Sequence, residues 1–75
     1  MTFEEAVRTI PAGIYRHYKG NRYEVLAVAR HSETLEPMVV YRALYGEGGV
    51  WVRPAEMWNE KVLDGTVLRF TKTED

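Results

Sequence analysis

Two short apolar runs, residues 23–29 and 38–45, constrain this chain more than anything else in it. Both are rich in Val, Leu, Tyr and Ala, and a polar stretch, His31-Ser32-Glu33-Thr34, separates them. Runs this short and this β-branched read as strands, because branched and aromatic side chains pack well on a pleated surface. The pattern predicts two central antiparallel strands against which everything else packs. Simple alternation puts Tyr23, Val25, Ala27 and Ala29 on one face of the first run and Leu26 and Val28 on the other. Apolar residues on both faces predict a strand covered on both sides at its centre.

The 75 residues make one domain. A chain of this size buries only about 60% of its unfolded surface, so its core is small. It has no cysteine and two histidines, His17 and His31. Disulfides and cysteine-based zinc sites are thereby excluded, and a structural zinc held by histidine alone lacks ligands. Hydrophobic burial must carry the fold, and the aromatic residues suit that need, since each can bury on the order of 150–250 Å².

The formal net charge is −1. That is not the field of a dedicated nucleic-acid binder, although it allows a local basic patch. No apolar run reaches the roughly 18 residues of a membrane span. The beginning Met-Thr-Phe-Glu-Glu is acidic and has no signal-peptide core. Together with the lack of cysteine, this fits a cytoplasmic location.

Taken in order, residues 2–10 read as a short helix. Thr2 and Glu5 have capping-box spacing, and Phe3, Ala6, Val7 and Ile10 form one apolar stripe. Pro11 and Gly13 end it. Residues 13–18 are the first strand and 19–22 a turn. The first apolar run follows at hairpin distance, then a polar loop over residues 31–37, then the second run. Gly46-Glu47-Gly48-Gly49 is a glycine-rich turn before a strand over residues 50–53. Pro54 suits the start of one helical turn, residues 54–58, which drops Met57 into the core. Residues 61–63 and 66–70 form a last hairpin around Asp64-Gly65, a two-residue turn signal. Residues 71–75 are a frayed polar tail.

Residues 1–12 are therefore a helix and connector, 13–70 a β core and 71–75 a tail. Five to six short antiparallel strands with tight turns predict a mainly β fold, a small SH3-like barrel with a short N-terminal helix and one helical turn before the last hairpin. A small OB-like barrel is the alternative.

The sequence also resembles a known family. Gly13-Ile14-Tyr15-Arg16-His17-Tyr18-Lys19-Gly20, Tyr23-Glu24-Val25, then Ala29, His31, Ser32, Thr34 and Glu36 carry the likeness. So do Met38-Val39-Val40-Tyr41, Leu44-Tyr45-Gly46 and Trp51-Val52-Arg53-Pro54. Together these are similar to the small bacterial family catalogued as domain of unknown function 1653, from about residue 13 to residue 70. The resemblance implies a compact β-domain of the SH3-like kind and implies no activity. It leaves out the N-terminal helix, and it implies a longer connection than a two-residue Asp64-Gly65 turn.

Function must be argued from the residues. His31, Ser32, Glu33 and Thr34 hold the residue types of a nucleophilic triad, but neighbours in sequence do not converge on one reacting atom. Catalysis there would need His17 or Glu47 across space. Otherwise the stretch is a turn whose hydroxyls bond nearby amides, or a polar ligand-binding loop. No metal-ligand spacing, Walker A loop or dinucleotide fingerprint occurs. The glycine turn at residues 46–49 sets a carboxylate where a phosphate loop needs amides.

Two surfaces remain. Arg16, Lys19 and Arg22, with His17, are interleaved with Tyr15, Tyr18 and Tyr23, as in single-strand binding sites. Tyr41, Tyr45, Trp51, Arg53 and Trp58 make an aromatic shelf with one guanidinium, suited to an extended peptide, a base or a carboxylate. The structural alternative is that Arg53 pairs with Glu56 or Glu60 while Trp51 and Trp58 complete the core. The reading that follows is a non-catalytic binding module without cofactor or metal. It engages a peptide or single-stranded nucleic acid through Tyr18, Arg16, Lys19, Arg22, His31, Ser32, Tyr41, Trp51 and Arg53. An assembly module acting through a homodimer or partner protein, and a small enzyme using His31 and Ser32, are the alternatives.

Overall fold

The computed structural model describes residues 1–73, so Glu74 and Asp75 of the expected tail lie outside the described residues. A short helix, α1 (Phe3–Thr9), leads into β1 (Gly13–His17), β2 (Arg22–Arg30), β3 (Pro37–Ala43) and β4 (Val50–Pro54). One helical turn, α2 (Ala55–Trp58), precedes three short strands: β5 (Lys61–Val62), β6 (Val67–Leu68) and β7 (Phe70–Lys72). The fold is mainly β. Five strands form one antiparallel sheet in the order β4-β3-β2-β1-β7, and β5 and β6 form a separate pair. No helix among the described residues is long and apolar enough to cross a membrane.

The runs that dominate the sequence are β2 and β3, at the centre of the sheet. Their ladder carries a register shift between Val25 and Ala27. This β-bulge adds one residue and reverses the alternation after it. Val25 lies opposite Tyr41 and Val28 opposite Val39, so Val25 and Val28 share the inner face. Leu26 is exposed and Val28 packs against the core. The expected split, with Val28 beside Leu26 and away from Val25, is thus corrected. A run that looks apolar on two faces is a strand with one core face and a shift in phase.

The inner face presents Tyr15, Val25, Val39, Tyr41 and Phe70. Helix α1 covers one end of it with Ala6 and Ile10. Thr2 caps that helix, its Oγ1 accepting from the Glu5 amide at 3.0 Å. Val7, expected in the apolar stripe, is exposed. Phe3 instead takes the Arg30 guanidinium over its ring at 3.8 Å.

Helix α2 inserts Trp58, not Met57. Trp58 is 1% exposed and Met57 44%. The indole stacks on Phe70 with centroids 3.6 Å apart and meets Tyr15 edge-on at 5.5 Å. Pro54 belongs to β4 and caps this turn, so the helix begins one residue later than expected.

The end of the chain also differs. The β5–β6 connection is a four-residue loop, residues 63–66, and Leu63, Asp64 and Gly65 all have positive φ. Thr71 and Lys72, expected in the frayed tail, belong to β7, which pairs with β1. That pairing sets Phe70 opposite His17. Arg53 on β4 lies with its Cζ 5.6 Å from the Phe70 ring, although β4 and β7 are the two edges of the sheet. A flat sheet would hold those edges about 19 Å apart, four strand spacings of ~4.8 Å. The sheet is therefore strongly curled around Trp58 and Phe70, yet no ladder joins β4 to β7 among the described residues.

Candidate functional site

Among the described residues, strand β4 pairs with β3 on one side and with no strand on the other. Trp51 lies directly opposite Tyr41, and Arg53 opposite Val39, so all four share the inner face. Their burial differs sharply. Tyr41 is 7% exposed and Trp51 61%. The cause is the reach of α2, whose Trp58 ring lies 5.0 Å from Tyr41. One helical turn covers the centre of the sheet and stops short of its edge. Val50 and Val52, on the opposite face of β4, are exposed as well.

The β3–β4 connection builds a cleft of about 240 Å³ beside Trp51, lined by Ala43, Tyr45, Gly46, Glu47, Gly48, Gly49 and Trp51. Gly46 and Gly48 hold φ of 58° and 70°, a region open to glycine without strain. At Gly49 the reason for glycine is space, because a Cβ there would come within 3.1 Å of the Trp51 Nε1. The far wall is Tyr45, whose hydroxyl lies 2.9 Å from that of Tyr23. Burial, and then the bond to Tyr45, push the Tyr23 phenol up to about 12.

Arg53 lies further along the same face. Its Nε is buried and meets no hydrogen-bond partner among the described residues. Both carboxylates that the sequence offers it are engaged elsewhere. Glu60 takes Arg69 at 2.6 Å, and Glu56 takes the N-terminal ammonium at 2.8 Å. His17 sits beside this group, its ring 5.0 Å from Phe70 and 4.7 Å from Tyr18. Its Nδ1 accepts from the Lys19 amide at 3.2 Å. Partial burial holds the His17 imidazole below its ordinary range, and the charges of Arg69, Arg53 and Lys19 lower it further. Arg69 and Phe70 have no place in the sequence reading of the site. The only local sign of them is a cation next to an aromatic after a glycine turn.

The other candidates are dispersed. Arg16 and Arg22 face one another across β1 and β2, on the side of the sheet opposite Trp51. Tyr18 is half-buried under the Lys19 ammonium, which lies 5.8 Å from its ring. His31 follows the far end of β2 from His17, so the two histidines do not converge. The His31 Nδ1 accepts the amides of Glu33 at 3.1 Å and Thr34 at 3.3 Å, and the Thr34 hydroxyl accepts that of Glu36 at 3.3 Å. Glu47 lies in the β3–β4 connection, at the other end of the sheet from His31. Ser32 is exposed in the His31 turn between β2 and β3. His31, Ser32 and Thr34 are thus positioned as a backbone-stabilised turn. Among the described residues no cluster of metal-ligating side chains forms.

These features define a small antiparallel β-domain with an aromatic inner face and one uncovered apolar edge. The chain belongs to the DUF1653 family of proteins of unknown function, matching it over residues 13–72. It is similar to a DUF1653 protein from Bordetella bronchiseptica whose crystal structure is solved. The sequence identity is 39% and the TM-score 0.79, over 89% of this chain and 91% of that chain. No curated protein matches the chain. Helix α1 lies before the matched residues, as the resemblance implied.

Proposed function

We propose that the domain is a non-catalytic binding module that takes an extended peptide along the open side of β4. The peptide adds as a strand and sets one side chain between Trp51 and the glycine cleft. The observation that carries this reading is Trp51, 61% exposed on an unpaired edge while its same-face neighbour Tyr41 is buried. Main-chain hydrogen bonds supply affinity in such a mode, and pockets beside the strand supply selectivity. The strand order, the helical turn before the last strands and the approach of Arg53 to Phe70 support a small SH3-like barrel as the scaffold.

Single-stranded nucleic acid fits less well. Arg16 and Arg22 share a face that Trp51 does not, so phosphate contacts and base stacking would fall on opposite sides of the sheet.

The test is an amide NMR titration with pooled extended peptides, repeated with pooled short single-stranded RNA. Shifts along residues 49–53 with peptide, lost in a folded Trp51→Ala variant, support the reading. Shifts confined to residues 16–22 with RNA would replace it. Concentration-dependent shifts along β4 without any ligand would instead make the edge a contact between copies of the chain.

A further inference from the structure

Beyond the cleft, the inner face carries a positive cluster that the peptide reading does not use. Arg53 and His17 lie beside the Phe70 ring, and the charge of Arg69 is felt at His17. Arg53 is 5.6 Å from it, and His17 is 5.0 Å from it and cross-strand to it, while Arg69 pairs with Glu60. The Nε atoms of both Arg53 and Arg69 are buried without a hydrogen-bond partner. A guanidinium with no carboxylate partner leaves its charge uncompensated, and a charge-assisted bond from it to an anion would be favourable. Arg69 is half-satisfied by Glu60, whereas Arg53 carries no ion pair among the described residues.

We propose that Arg53, flanked by Arg69 and His17, binds a carboxylate carried by the segment laid along β4. The inference rests on the reading of β4 as a peptide-docking edge, since Trp51 and Arg53 are alternate residues on one face. Charge balance selects the class of anion. Two guanidinium charges less the Glu60 carboxylate leave one positive charge, while Lys19 sits further out over Tyr18. One net charge matches a carboxylate better than a phosphate of nearly two negative charges. The planar guanidinium fork also suits two-point carboxylate recognition, which an ammonium cannot copy.

The experiment compares one pool of N-acetylated extended peptides in three forms. These are a neutral amidated form, an amidated form with one internal glutamate, and a form with a free C-terminal carboxylate. Amide shifts at residues 49–53 read docking. The Arg53 and Arg69 Nε–H resonances and the His17 titration read the anion. A carboxylate form should bind roughly tenfold more tightly than the neutral form, about 1.4 kcal/mol. It should also raise the His17 titration midpoint. Whichever of the two carboxylate forms does so identifies a side chain or a chain terminus as the source. Arg53→Gln should abolish the preference for the carboxylate forms over the neutral form, and Arg53→Lys should restore only part of it. If all forms bind alike and the guanidinium and His17 signals stay still, the carboxylate site is wrong and the docking edge survives. If no peptide shifts β4 and excess acetate leaves His17 and Arg53 unmoved, both fail. A stronger response to inorganic phosphate than to acetate would overturn the choice of anion.

Discussion

The two tryptophans should behave as opposites. Trp58 is 1% exposed, stacked on Phe70 and in contact with Tyr15 and Tyr41. Truncating a buried aromatic of this kind costs about 3–5 kcal/mol. A domain of 75 residues has roughly 4–11 kcal/mol of stability at about 0.05–0.15 kcal/mol per residue. Trp58→Ala therefore removes much or all of it. Trp51 has about two-fifths of its surface covered. At ~150–250 Å² per buried aromatic and ~25 cal/mol per Å², that is about 1.5–2.5 kcal/mol as an upper bound, and about 1–2 kcal/mol once the compactness of the unfolded chain is allowed for. Urea unfolding followed by circular dichroism measures both, since each substitution also removes a fluorophore. Trp58→Phe guards against a variant too unstable to measure. It keeps the stacking surface and removes the Nε1 that has no hydrogen-bond partner, so it should cost only about 1–2 kcal/mol. Losses for Trp51→Ala and Trp58→Ala within about 1 kcal/mol of one another would refute the reasoning, because both rings would then be core.

Other perturbations probe other parts of the chain. His17 has a folded-state pKa below its unfolded value, so the unfolded chain binds more protons as acid is added. Stability should fall as pH drops through about 6.5, and His17→Gln should flatten that part of a urea-midpoint profile taken between about pH 8 and pH 5. Leu35 and Leu63 hold φ of 64° and 53° with exposed side chains, and Asn tolerates that conformation better. Leu35→Asn and Leu63→Asn should each raise stability by roughly 0.5–1 kcal/mol, and a loss in thermal unfolding would contradict the strain. The bulge predicts that Val28→Ala costs about 1 kcal/mol while Leu26→Ala stays within about 0.5 kcal/mol, and the reverse order in urea would put the phase shift elsewhere. Val52→Lys should leave the unfolding midpoint nearly unchanged while weakening peptide docking in the amide titration, because a charge on an open edge opposes strand addition.

The sequence made the central strands legible, because branched and aromatic residues fill β2 and β3 and little else can be done with them. It hid the bulge. One extra backbone residue has no compositional mark, and Ala27 suits either face. The phase of α2 was equally hidden, since four residues are too few for a period of 3.6 to separate Met57 from Trp58. For the site, alternation correctly put Trp51 and Arg53 on one side. It could not say that Tyr41, on the same side, is covered. That depends on where one helical turn lies across the sheet. The contributions of Arg69 and Phe70 depend on β7 pairing with β1, strands from opposite ends of the chain whose register no local pattern fixes. Arg53 was offered two carboxylates nearby in sequence, and both found other cations in space.

The two edges of the sheet are guarded differently. An exposed edge invites pairing with other chains, and proteins usually guard it with charge, proline or a covering segment. Edge β7 follows that habit. It turns Phe70 inward and shows Thr71 and Lys72 to solvent. Edge β4 does not, since Val50, Trp51 and Val52 are all exposed, and no charge or proline interrupts the strand before Arg53 and Pro54. Burial cannot explain these residues, because they are not buried. Sheet propensity alone cannot explain them either, because threonine would serve the backbone as well without the exposed apolar surface. An apolar, unguarded edge beside a glycine-walled cleft, and on its inner face an arginine without an ion pair among the described residues, make sense together when a further extended segment completes them.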